Sequence, residues 1–440
     1  MTTTALNDPR QRVSTKKKAL AIGLIAVTSM AYALMGPASA AHADSTVTTG
    51  TQLVTDFTTA TAPTTITLGA DVTVAGGDGA MEAPNNFAVT IDLAGYDLEV
   101  NAPLDYPGIL VGSLAEVNII DTVGGGALTL VGAESASSTA IAGPGLRVAG
   151  TVTISVTQAN ITGGDSGVGA AGYGITVAGG SLTVDGTDMV VTGGAGATVT
   201  SGYGMIMVSD SNVLFTGGSS ATFSTGTGSV GAHGISNGSS SALRITDGSS
   251  VTASGSSGST SGLVNAGATI VNNGSLAAVA GTDPLLTDVG NEGTLVLIDP
   301  VAFVGTVGGA YRVPATLDGN GGTPAEVIVY GGSINHWLSL PSTSTDVWPP
   351  ARAGYTFTGW FTEPTGGTEI PAIAFDGFIE VTSTIYAQWA ADAAAPVDPA
   401  DPAELAATGV TDSSGVVIAS SLLLVGLLTL GGAVVARRRS

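Results

Sequence analysis

The chain has 440 residues, with 34 acidic against 12 basic side chains, 65 glycines, no cysteine, and charged residues at only 10%. The missing cysteines exclude a disulfide framework, a thiol nucleophile and a Cys-ligated zinc, and the acidic balance opposes a phosphate backbone, so no nucleic acid is expected as a partner. Few charges with abundant Gly, Thr and Val favour short strands and tight turns over amphipathic helices, so the predicted class is all-β.

Residues 1–43 read as an export signal. "KKKALAIGLIAVTSMAYALM" places a basic cluster before an apolar run, and "GPASAAHADS" follows with a helix-breaking Gly36-Pro37 and small residues at cleavage spacing. Cleavage is expected between Ala43 and Asp44, with Ala40 as the alternative site. The segment from Asp44 to Thr408 then keeps Arg147, Arg244, Arg312 and Arg352, has no lysine, and loses only Asp8 and Asp412 of the acids, giving a formal charge of 4 − 32 = −28.

Residues 44–310 form a Gly-rich body with an internal repeat. The pairs Gly145-Leu146, Gly174-Ile175, Gly204-Met205, Gly234-Ile235 and Gly262-Leu263 recur at 29, 30, 30 and 28 residues. A second short apolar run follows each pair, at 152, 182, 213, 243 and 268, and for four of them a third begins at 160, 189, 221 and 251. Three short strands per repeat are what one coil of a parallel β-helix needs, with alternate residues facing a narrow apolar interior and Gly-rich corners turning the chain. Thr282 to Pro300 reads as the closing coil. The upstream stretch from "VTIDLAGYDLEV" to "GGGALTLVG" resembles the opening coils of right-handed β-helix surface proteins of the pectin-lyase-like superfold.

Catalysis on this body is not expected. A lyase of that fold needs a basic proton abstractor with calcium-holding carboxylates, and a glycoside hydrolase needs paired acids. Within the repeats only Arg147 and Arg244 are basic, while Asp165, Asp185, Asp188, Asp210 and Asp247 sit beside Gly or Ser and read as turn formers. His233 reads as a corner residue, and neither metal nor cofactor is expected.

Residues 311–390 hold all four tryptophans, Trp337, Trp348, Trp360 and Trp389, which marks a separate small core built on large rings. The segments "DGNGG", "RAGYTFTGWFTEPTGGTEI" and "IYAQW" resemble the Listeria-Bacteroides repeat, the internalin-type B repeat, between about Ala315 and Trp389. The resemblance implies a β-grasp-like surface module used for contact or spacing. Trp360 and Trp389 are read as core, and Trp337 and Trp348 as candidate exposed contacts with an extracellular glycan or protein.

Residues 391–404, "ADAAAPVDPADPAE", cannot build a core and read as an extended spacer. Beyond them Val416 to Ala436 is an uncharged run long enough to span a bilayer, closed by Arg437, Arg438 and Arg439. Residues 405–440, with the pentapeptide Leu405-Ala406-Ala407-Thr408-Gly409, resemble the sorting signal of Gram-positive cell-wall proteins, in the LAxTG variant associated with high-GC actinobacteria. The resemblance implies that a sortase cleaves after Thr408 and joins it to peptidoglycan, with the membrane touched only by the terminal helix. The expected function is a secreted, wall-anchored, non-enzymatic surface protein for adhesion or ligand presentation; the alternative is a wall-displayed polysaccharide lyase or hydrolase. A pilin role is opposed by the lack of lysine amines in the exported segment.

Overall fold

The computed structural model describes residues 44–135, 141–167, 169–196, 202–228, 231–256, 261–281, 287–299, 302–309, 314–330, 350–370 and 384–392. The fold is nearly all β, and its body is a right-handed-type parallel β-solenoid. Three sheets wind around one core. The first opens with Ser45–Val47 and Thr64–Leu68 and has 14 strands, while the second and third open with Val72–Val74 and Met81–Ala83 and have nine each.

The repeat seen in the sequence is the coil. Leu146, Ile175, Met205, Ile235 and Leu263 pair in register along the third sheet, and Val117, Val152, Leu182, Val213 and Leu243 do so along the first. All ten are at most 1% exposed. Because side chains alternate, each coil contributes one inward row per strand, and stacking removes that row from water. The register corrects the sequence frame in two places. Ala159, not Asn160, is the partner of Met189, and Thr269, not Ala268, is the partner of Leu243. Strand Ala268–Asn272 has almost no alternating pattern because both of its faces are covered.

Two features replace parts of the expected reading. Gly50–Thr58, inside the body expected to be all-β, is an α-helix, with Thr49 as its cap accepting from the Gln52 N–H and the Gln52 side chain accepting from the Thr48 N–H. Its Leu53 and Phe57 are fully buried in the solenoid core, so the helix closes the N-terminal end of the coil stack. At the other end the solenoid runs past Pro300, with strands Ala302–Val304 and Val307–Gly308 adding to the second and third sheets.

The inward row of the third sheet changes character near that end. Val177 and Met207 are followed in register by Asn237, Asn265 and Asn291, each at most 1% exposed. Asn237 donates through Nδ2 to Asn265 Oδ1 at 2.8 Å, and Asn265 donates to Asn291 Oδ1 at 2.8 Å and to the Thr294 carbonyl at 3.0 Å. Thr269 Oγ1 donates to Asn265 Oδ1 at 2.9 Å, which accounts for a threonine facing inward. A buried amide is tolerable when both its donor and acceptor are met, and the ladder meets those of Asn265.

The aromatic segment has a core cluster distinct from that of the solenoid, but residues of the solenoid complete it. Strand Glu326–Tyr330 pairs antiparallel with Thr294–Ile298, the last solenoid strand of the first sheet, and then with Pro314–Asp318. Alternation splits it: Ile328 and Tyr330 pack on the solenoid core, while Val327 and Val329 join Leu317, Trp360 and Ile385. The second cluster also takes Ile270, Val296 and Ile298 from the solenoid's outer face. Pro314–Asp318 continues in parallel to Thr384–Ala391, which pairs antiparallel with Tyr355–Phe361. The expected spacer therefore begins later than residue 391: Ala391 closes a strand and Asp392 accepts from Thr356 Oγ1 at 2.7 Å.

Replacing Asn265 by Ala leaves the Thr294 carbonyl and Asn291 Oδ1 without the donor they share. The expected loss is about 2–4 kcal/mol, read as a lower urea midpoint for N265A with an unchanged far-ultraviolet dichroism spectrum.

Candidate functional site

The corner between the second and third sheets carries the most distinctive chemistry of the described surface. There the described residues that leave the second sheet and enter the third form a neck rich in glycine. The Gly164 N–H donates to the Gly143 carbonyl, Gly172 to Gly164, and Gly194 to Gly172, each at 2.8 Å. A Cβ on Gly164 would run into the Ala133 carbonyl, and one on Gly194 into the Gly164 carbonyl, so no side chain fits where the strands of the neck approach.

With the neck bare, the residues beside it carry the surface. Tyr173, Tyr203 and His233 occupy the same corner position in three successive coils, with ring centroids 5.6 Å and 5.5 Å apart and planes tilted by 57° and 44°. All three are partly exposed. On the same corner, in earlier coils, Leu104 is 72%, Tyr106 43% and Ile141 54% exposed. Burial raises the Tyr173 hydroxyl pKa; for Tyr203 burial and the neighbouring Tyr173 both raise it, so both remain phenols at neutral pH. Burial lowers the His233 pKa, against the opposing effect of the Ser261 carbonyl 2.8 Å from Nδ1, so this ring is neutral at pH 7 with Nδ1 as the donor. The corner placement expected for His233 is found; the stack it joins was not foreseen.

The acids are held by their own corners. Asp165 accepts from the Ala195 N–H at 2.7 Å and Asp247 from Thr216 Oγ1 at 2.6 Å. Asp210 and Asp247 have φ of 60° and 52°, a conformation that Asp tolerates in turns. Asp92 accepts from Thr122, while Asp121 accepts from Gly95 and Gly126 at 2.8 Å and from Gly124 at 3.0 Å. Among the described residues no three His, Asp or Glu side chains group as metal ligands would. A recess at the C-terminal end of the solenoid is lined by Phe303, Ile328, Tyr330, Asp299 and Glu326 among others. There the Asp299 carboxylate accepts from the Ala325 and Glu326 N–H groups.

Of the two repeat arginines, Arg147 lies exposed on the third sheet, and Arg244 lies half-buried on the outer face of the first, its Nε without a partner. In the aromatic segment Trp360 is 8% exposed, and Phe357 meets Trp360 and Trp389 edge-on at 5.6 Å. Trp389 donates to the Gly319 carbonyl at 3.0 Å. A bulge between Phe357 and Gly359 turns Phe357 toward this cluster, while Tyr355 stays outside beneath the Arg352 guanidinium at 4.0 Å. Trp337 and Trp348 lie outside the described residues, as do Leu405, Ala406, Ala407, Thr408 and Gly409, the span 416–436 and residues 1–43 up to Ala43. Asp44 is described, and its side chain accepts from the Thr65 N–H at 3.1 Å. No described helix is long and apolar enough to cross a membrane. No protein family, curated protein or solved structure matches the chain.

Partial burial alone would raise the Asp121 carboxyl, but the N–H groups of Gly126, Gly95, Gly124 and Val123 outweigh it and hold the pKa below the ordinary Asp value. The folded state therefore binds the proton less readily than the unfolded chain. Its stabilising contribution is complete above the unfolded Asp pKa of about 3.9 and fades as pH falls through the lower folded value. D121N is expected to melt lower than wild type at pH 7, with the difference shrinking as pH falls below the unfolded Asp pKa of about 3.9, as followed by dichroism melts across the acid range.

Proposed function

We propose that the chain is a secreted surface protein, joined to peptidoglycan through Thr408 by a sortase, that presents a non-enzymatic β-solenoid for adhesion or ligand binding. The sorting pentapeptide with its apolar run and closing arginines carries this reading. Two structural observations support it. The first solenoid strand begins at Ser45, immediately after the residue at which the exported chain would start. The Asp165 and Asp121 carboxylates are engaged in backbone hydrogen bonds at separate corners.

For residues 311–390 the β-grasp-like reading is supported by strand order. Numbering the four strands along the chain from Pro314, they lie second, first, fourth, third, with the two central ones parallel. In this proposal the module sits nearer the wall and the solenoid extends beyond it. A polysaccharide lyase or hydrolase would instead need acids from adjacent coils facing one groove.

Lysozyme digestion of intact cells is expected to release the protein as a ladder of species bearing peptidoglycan fragments of different sizes. Thr408→Ala abolishes the ladder and leaves the protein extractable by detergent. Recovery of unprocessed wild-type chain in detergent alone would contradict the covalent anchor.

A further inference from the structure

We propose that the corner bearing Tyr106, Tyr173, Tyr203 and His233 binds a linear cationic amino-sugar polymer, lying along the solenoid axis with successive sugar rings against successive coils. The biological setting of this inference rests on the surface-display reading; its chemistry does not.

The ridge has a period that a ligand must match. Tyr173, Tyr203 and His233 recur once per coil with centroids 5.6 Å and 5.5 Å apart, their planes tilted by 57° and 44° and each side chain partly exposed. A polyproline-type peptide advances about 3.1 Å per residue and repeats a face only every third residue, which falls out of step with these rings. An extended peptide repeats a face every second residue, about 6.6 Å, and slips by roughly one ångström per coil. A β-linked chain of pyranose rings presents an apolar C–H face in every residue, on alternate sides of the sugar, and advances by about one ring length per residue, on the order of the 5.6 Å and 5.5 Å spacing of these side-chain rings.

Charge selects among such chains. The corner excursions carry the exposed acids Asp105, Glu134 and Asp165 beside Tyr106, Pro144 and Tyr173, and the exported segment is at −28. An anionic polymer is repelled by this field. An ammonium-bearing sugar gains twice, from the carboxylates and from the electron-rich ring faces.

The test is calorimetric titration of the purified full-length chain in mild detergent with three probes: a β-linked glucosamine hexamer, its N-acetylated counterpart and a lysine hexapeptide. The glucosamine hexamer is expected to bind tightest, and more weakly as salt rises. Tyr203→Ala is expected to weaken it about tenfold, and Asp165→Asn, which keeps the oxygen that accepts from Ala195, to weaken it less. Tyr203→Phe is expected to retain most of the binding, and dichroism melts establish that each variant is folded. Equal affinity for the acetylated hexamer overturns the charge selection. Tighter, ring-dependent binding of the lysine peptide overturns the sugar assignment, and so does glucosamine binding that Tyr203→Ala leaves unchanged. Loss of the lysozyme ladder with sugar binding intact would fault the wall anchor alone, whereas an intact ladder without sugar binding faults the ridge alone.

Discussion

Every part of this fold depends on in-register parallel pairing between one coil and the next. A single coil cannot bury its inward row, and its backbone N–H and carbonyl groups point along the axis, away from its own chain. Pairing with the neighbouring coil satisfies both needs together. It fixes which residues face inward, sets the spacing of corner residues such as Tyr173 and Tyr203, and makes the two ends of the stack the places where the fold must stop deliberately. The Gly50–Thr58 helix stops it at one end with Leu53 and Phe57. At the other, a strand running the opposite way ends the parallel stacking of the first sheet and brings Ile328 and Tyr330 over the core.

The coils were legible in the sequence because their constraint is local and periodic. A Gly followed by an aliphatic residue marks where the chain passes tightly from a corner into the third sheet, and the five pairs from Gly145-Leu146 to Gly262-Leu263 all fall at that junction. What was not legible depends on neighbours distant in the chain. Asn237, Asn265 and Asn291 look like turn residues because each lies one or two positions before a glycine, yet they are buried and bonded to one another across coils. The helix did leave a signal: Thr49 and Gln52 hold the spacing of an N-terminal cap, hidden in a threonine-rich stretch that favours strands.

The candidate site was half visible. His233 was placed at a corner, but its relation to Tyr203 and Tyr173 emerges only when 30-residue steps are stacked into adjacent coils. Of the acids read as turn formers, Asp210 and Asp247 hold left-handed turn conformations, Asp165 and Asp247 bond groups one coil away, and Asp185 and Asp188 stand at strand ends. The jump in tryptophan content marks a second core, but not how that core is closed: strand Glu326–Tyr330 is apolar on both faces because two cores claim it.

That shared strand makes the junction a poor place for genetic recombination. A crossover near residue 310 that moved the aromatic module onto another stalk would strip cover from Ile270, Val296 and Ile298 and leave the last solenoid strand of the first sheet with an open edge. A transferable cassette would have to carry the final coils along with the module. The heritable unit in this region is longer than the module that the tryptophans outline, and it begins inside the repeats.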